Sequence, residues 1–290
     1  MIHENKEEFI KVLDRAAKLK EFLLPLLEKD YYLTLILSRI HELSEHLIFK
    51  GGTCLNKIYF SYYRLSEDLD FSMRLPDYTV TRGVRHRCIQ PIKDKIKKFV
   101  EQFGMRVDDA EPPGRNESKQ YVYYFVYQSV LRPIEAKIKF EIGLRYNPLC
   151  EIEKRKIQHK FLHPFTGESL FDGGEINCLT LKELIAEKLR AAAIRPQIAP
   201  RDFYDIDFIL RKGFNISDRG VTELFQKKLT EDGADIDLTR YSINLGRTDA
   251  EIKNMKSRIK EELIEVLTPA ERNNFDLDSA LVRINKAMRA

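Results

Sequence analysis

The chain has 290 residues, 43% hydrophobic and 32% charged, with 49 basic against 45 acidic side chains and a formal net charge of +4. That balance excludes a disordered polyelectrolyte, and no apolar run is long enough to span a bilayer. The mild positive charge admits a nucleic-acid partner without requiring one. The N-terminus, MIHENKEEFIKVLDR, is too charged for a signal peptide. Cys54, Cys88, Cys150 and Cys178 form no CxxC pair and no metal spacing, which fits free thiols in a reducing cytoplasm.

Residues 6–28 repeat apolar positions at helical spacing (Phe9, Val12, Leu13, Ala16, Leu19, Leu23, Leu27), with Pro25 kinking or interrupting the helix. A second helix is expected from about Tyr31 to Glu45. Leu47–Lys50 is a short apolar strand that stops at Gly51-Gly52, where the backbone is free to adopt unusual geometry and to admit a ligand closely. Thr53 is placed to cap the helix that follows, with Leu55, Ile58, Tyr59 and Tyr62 at helical spacing. Arg64–Glu67 turn the chain into Asp68-Leu69-Asp70-Phe71. Period two puts both carboxylates on one face there and Leu69 and Phe71 on the other. Two carboxylates that close repel unless a cation neutralises them, and hard oxygen ligands suit Mg²⁺.

Residues 81–98 carry Arg82, Arg85, Arg87, Lys93, Lys95, Lys97 and Lys98 against Asp94. The run is either a solvated helix face or a surface for phosphate backbones. Residues 108–119 form a turn-rich connector. Tyr121–Val130 reads as an aromatic strand, expected to pack rather than to stack on bases. Ile134–Leu144 alternates cleanly, with Lys139 and Glu141 on its polar face. Residues 145–178 read as irregular connection and edge strand. Thr180 and Glu183 form a capping box that starts a helix. On it Lys188 shares a face with Leu181, Leu184, Ile185, Ala191 and Ala192, so its ammonium needs a carboxylate or a substrate phosphate unless it snorkels to water. Pro200 opens a further helix bearing Asp202 and Asp205 three positions apart. Helices are expected near 217–230, 247–266 and 276–288.

The ordered pair of Lys50-Gly51-Gly52-Thr53 and Arg64-Leu65-Ser66-Glu67-Asp68-Leu69-Asp70-Phe71 resembles the AbiEii/AbiGii toxin group, to which the MenT toxins are similar, among nucleotidyltransferases of the DNA polymerase β type. Ala186-Glu187-Lys188-Leu189-Arg190-Ala191 and Arg201-Asp202-Phe203-Tyr204-Asp205 extend the resemblance. It implies an α+β fold: a polymerase β-like core, a mixed sheet flanked by helices, over residues 1–175. A helical C-terminal domain over 176–290 would complete the active site. It implies Asp68 and Asp70 as metal ligands, with Glu141 as a third where Asp is common. Glu141 is alternatively a surface acid paired with Lys139. Lys188 joins the catalytic set, supported by Asp202 or Asp205, and Lys50, Gly51, Gly52, Thr53, Arg64 and Ser66 bind nucleotide. The implied activity is transfer from a nucleoside triphosphate, with Mg²⁺ or Mn²⁺, to RNA, at the tRNA 3′ end. A cognate antitoxin is implied as partner and no membrane. The alternatives are nucleotide transfer to a protein hydroxyl, or an inactive nucleotide- or RNA-binding module.

Overall fold

The computed structural model describes residues 1–76, 80–171 and 174–289, and divides into two units, Met1–Leu179 and Thr180–Ala290. The first is built on a mixed sheet with β1 (Leu47–Lys50), β2 (Asp68–Met73), β3 (Arg106–Val107), β4 (Gly114–Arg115), β5 (Gln120–Gln128), β6 (Glu135–Gly143), β7 (Glu153–Lys156) and β8 (Glu175–Cys178). The order is β3-β5-β6-β2-β1-β8-β7, with β4 on β5. The β2–β6 and β1–β8 pairs are parallel, whereas β1–β2 and β5–β6 are antiparallel.

Alternation makes one face of this sheet the core. Phe49, Leu69, Phe71, Phe125, Ile138, Phe140 and Ile142 are all fully buried. Rings from adjacent strands form a ladder, with centroid separations of 5.3 Å for Phe49–Phe71, 5.2 Å for Phe71–Phe140 and 5.0 Å for Phe125–Phe140. Each pair adds about 0.5–1.5 kcal/mol beyond its area burial. The same alternation leaves Lys50, Asp68, Asp70, Lys139 and Glu141 on the opposite face.

Pro25 begins a helix rather than kinking one. The first helix, Lys6–Lys20, ends at Glu21 in the left-handed region (φ 55°), and the second runs Leu24–Ser38 with Pro25 in its first turn, where a missing N–H costs nothing. The expected helix from Tyr31 therefore starts seven residues earlier, at Leu24, and a separate short turn, Ile40–Leu43, follows it. The basic run is a helix, Arg82–Glu101, capped by Thr81.

The second unit is helical. Leu181–Ile194 packs on Pro200–Arg211 and on Arg219–Glu231, and Leu277–Met288 packs on Pro200–Arg211. Asp207, buried, ties the last two together by accepting from Arg211 at 2.9 Å and Arg283 at 2.6 Å. The division falls after Leu179 rather than after 175, because β8 hydrogen-bonds to both β1 and β7 and so belongs to the sheet. No helix among the described residues is long and apolar enough to cross a membrane.

Candidate active site

The strand register lines up the polar face. Lys50 on β1 stands opposite Asp70 on β2, and Asp70 stands opposite Glu141 on β6. Asp68 faces Lys139 in the neighbouring row. Three acids and two lysines are thus interleaved across three strands.

The glycine turn meets this row directly. Gly51 has φ +78°, and a β-carbon there would lie 2.5 Å from Asp70 Oδ2. On Gly52 a β-carbon would lie 2.6 Å from Arg64 Nη2 and 3.3 Å from Ser66 Oγ. Gly51 thus requires glycine for conformation as well as space, while a side chain at Gly52 would have to displace the Arg64 guanidinium. Buried Arg64 donates from Nη1 to the Leu65 carbonyl at 2.8 Å. Thr53 does not cap the helix. The helical turn begins at Gly51, and the Thr53 hydroxyl donates to the Asp68 carbonyl, pinning the turn to β2. We expect Gly51→Ala to lower stability by about 1–2 kcal/mol from backbone strain alone. Thermal melts check this.

Burial pushes the Asp70 carboxyl up to about 6, aided by the nearby charges of Glu141 and Asp68 and opposed by Lys50 and Lys139. Burial also disfavours ionised Glu141, but Lys139, Gln120 and Lys50 outweigh it and hold that carboxyl below its ordinary value. Lys139 Nζ is 2.6 Å from Glu141 Oε2, and Gln120 Nε2 donates to Glu141 Oε1 at 2.6 Å. The structure thus brings Asp68, Asp70 and Glu141 into register, with Glu141 paired to Lys139. Among the described residues no group of three His, Cys, Asp or Glu side chains is disposed to hold a metal ion. The Lys139–Glu141 pair is the alternative the sequence offered for Glu141, whereas the part of Gln120, on a neighbouring strand, was missed.

In the second unit, Lys188 is paired rather than snorkelling. Its Nζ lies 2.9 Å from Asp202 Oδ1 and 2.8 Å from Asp205 Oδ2, and Asp202 Oδ2 lies 3.2 Å from Arg195 Nη1. Both aspartates are buried. Two buried carboxylates from successive turns of one helix fix the ammonium, so the sequence could not choose between them because both bind it. Glu183 departs from the expected box: its backbone N–H donates to Thr180, but its buried carboxylate pairs with Lys228 at 2.8 Å.

A carboxylate row beside a glycine turn and helix is the arrangement that the resemblance to nucleotidyltransferases implies. The profile of the nucleotidyl transferase AbiEii toxin family, type IV toxin–antitoxin system, matches residues 35–280, and the chain belongs to that family. It is a nucleotidyltransferase toxin, with a nucleoside triphosphate as substrate and an antitoxin as partner. Its fold is similar to MenT4, a nucleotidyltransferase toxin from Mycobacterium tuberculosis H37Rv, with TM-score 0.55, 17% identity, and 96% of this chain and 97% of that chain covered. It is also similar to JHP933 from Helicobacter pylori, with TM-score 0.53, 16% identity, and 92% of each chain covered. No curated protein sequence matches the chain.

Proposed function

We propose that this toxin transfers a nucleotidyl group from a nucleoside triphosphate to RNA, at the 3′ end of tRNA, and so blocks aminoacylation and translation. The observation that carries the reading is Asp70. Its carboxyl, raised to about 6, lies against a turn with no room for a side chain. Concentrated negative charge beside a bared backbone suits a divalent cation together with the phosphates of a nucleotide. Asp68 and Asp70 would hold Mg²⁺ or Mn²⁺, which supplies neutralisation of charge on the α-phosphate and the departing pyrophosphate.

The chain's own groups bind and orient. The Gly51-Gly52 backbone lets phosphate approach, while Lys50, Arg64 and Ser66 line the turn and offer charge and hydrogen bonds. Thr53 holds the turn to the strand that carries the aspartates. Lys188, held between Asp202 and Asp205 in the second unit, is the ammonium that the family resemblance adds to the catalytic set. The family resemblance, with the exposed basic side chains Arg82, Arg87, Lys95 and Lys98 on one helix, supports an RNA acceptor.

The test is transfer from each labelled nucleoside triphosphate in turn, with tRNA and with cellular protein. Label in tRNA, lost on adding a chelator, is the expected result. Label confined to protein would instead make the enzyme a protein nucleotidyltransferase. Absence of label with every nucleotide would reduce it to a binding module.

A further inference from the structure

The acid row contains more than metal ligands need. Glu141 is opposite Asp70 in register, yet each of its oxygens has a donor at 2.6 Å, Lys139 on one side and Gln120 on the other. Gln120 is itself oriented, because Asn116 Nδ2 donates to its amide oxygen at 3.1 Å and so turns its Nε2 toward the glutamate. A chain of four side chains, Asn116 to Gln120 to Glu141 to Lys139, therefore ends on an ammonium. That ammonium lies within the electrostatic reach of both Asp70 and Asp68. For Glu141 to join Asp68 and Asp70 around an ion it would have to share an oxygen already held by Lys139 or Gln120.

We propose that Lys139 is a built-in counter-ion of the acid row and that Glu141 is a positioning residue for Lys139, leaving Asp68 and Asp70 to hold the divalent ion without it. The inference rests on the reading of Asp68 and Asp70 as metal ligands and assigns the third acid a different task. With no divalent ion bound, Lys139 offsets the repulsion between the aspartates. Once an ion is bound, the same ammonium is a fixed positive group beside it, suited to an oxygen of the substrate's phosphates. Competition is inherent in this arrangement, since a lysine among acids opposes a second cation.

The experiment is Mn²⁺ binding to the full chain without nucleotide, read from the electron paramagnetic resonance of free Mn²⁺. Asp68→Asn and Asp70→Asn should each weaken binding at least tenfold, the effect usual for loss of a ligand or its support. Glu141→Gln should bind within about twofold of the parent, as should Lys139→Arg, because neither changes the ligand set. Lys139→Met should bind about tenfold more tightly, with Glu141 released, and adding Glu141→Gln to it should return affinity to the parent value. The proposal is overturned if Glu141→Gln weakens Mn²⁺ tenfold, or if Lys139→Met leaves affinity unchanged or lower. Should Lys139→Met fail to fold, Glu141→Gln and Lys139→Arg still decide. If both aspartate variants bind Mn²⁺ like the parent, the reading of the metal site itself fails, which separates the two outcomes.

Discussion

Asp70→Asn should abolish nucleotide transfer and make the protein more stable. The loss in rate is expected to be about 10³-fold or more, because the divalent ion this carboxylate would hold contributes several kcal/mol of charge neutralisation in the transition state. The gain in stability follows from linkage. A free aspartate ionises near 3.8, whereas in the folded protein burial, Glu141 and Asp68 push Asp70 up to about 6. The folded state therefore binds the proton more tightly than the unfolded chain does. This group's favourable contribution is complete below pH 3.8, declines as pH rises, and is lost above about pH 6. Over two pKa units that is about 3 kcal/mol. Asn, which does not ionise, should thus raise stability at pH 8 by up to about 3 kcal/mol in chelator and leave it nearly unchanged at pH 4. Urea unfolding at the two pH values reads the difference. Equal stabilities at pH 8 would show that Asp70 is not strained by its neighbours. For the same reason divalent-ion binding, if Asp70 holds the ion, should strengthen as pH rises through about 6, where the metal-free carboxyl ionises.

The largest single loss of stability should come from Lys57, which takes no part in the proposed chemistry. It is fully buried directly after the glycine turn, and burial depresses its pKa against the pull of Asp30. Its Nζ lies 2.6 Å from Asp30 Oδ1 and donates to Thr34 Oγ1 at 2.8 Å and Tyr62 Oη at 3.0 Å, while Tyr62 donates to Asp30 Oδ2 at 2.6 Å. Lys57→Met strands Asp30 without its cation, so a loss of about 3–5 kcal/mol is expected, with Asp30→Asn costing a similar amount. Lys57→Met with Asp30→Leu should be much less harmful than the two single losses added together, because neither charge is then left buried alone. A double-mutant cycle in urea measures this, and additive losses would remove the claim that the pair acts as a unit.

The strand that carries Asp68 and Asp70 was legible because its code is local. In Asp68-Leu69-Asp70-Phe71 period two separates carboxylates from core residues, and the strand does so. The same holds for β6, where Ile138, Phe140 and Ile142 are buried. Lys188 was legible as an ammonium in an apolar stripe that needed an anion, and two buried aspartates supply it. What escaped was tertiary. Thr53 has the residue type of a cap, but the nearby Asp68 carbonyl takes its hydroxyl. Glu183 sits where a capping box expects it, yet Lys228, far along the chain, claims its carboxylate. Nothing in the spacing joins Asp30 to Lys57, because their meeting depends on how one helix lies against the glycine turn.

The last residue of the first unit is stitched to both sides of that turn. Leu179 donates its N–H to the Phe49 carbonyl at 3.1 Å, and its own carbonyl accepts from the Tyr59 hydroxyl at 2.7 Å. A truncation ahead of β8 would strip the flank of β1, leave apolar Leu47, Ile48 and Phe49 on an open border prone to aggregation, and take from Tyr59 its carbonyl partner, leaving its hydroxyl to Glu153. The shortest fragment able to keep the nucleotide turn in shape therefore ends beyond Leu179, and excision of the helical half must cut there or later.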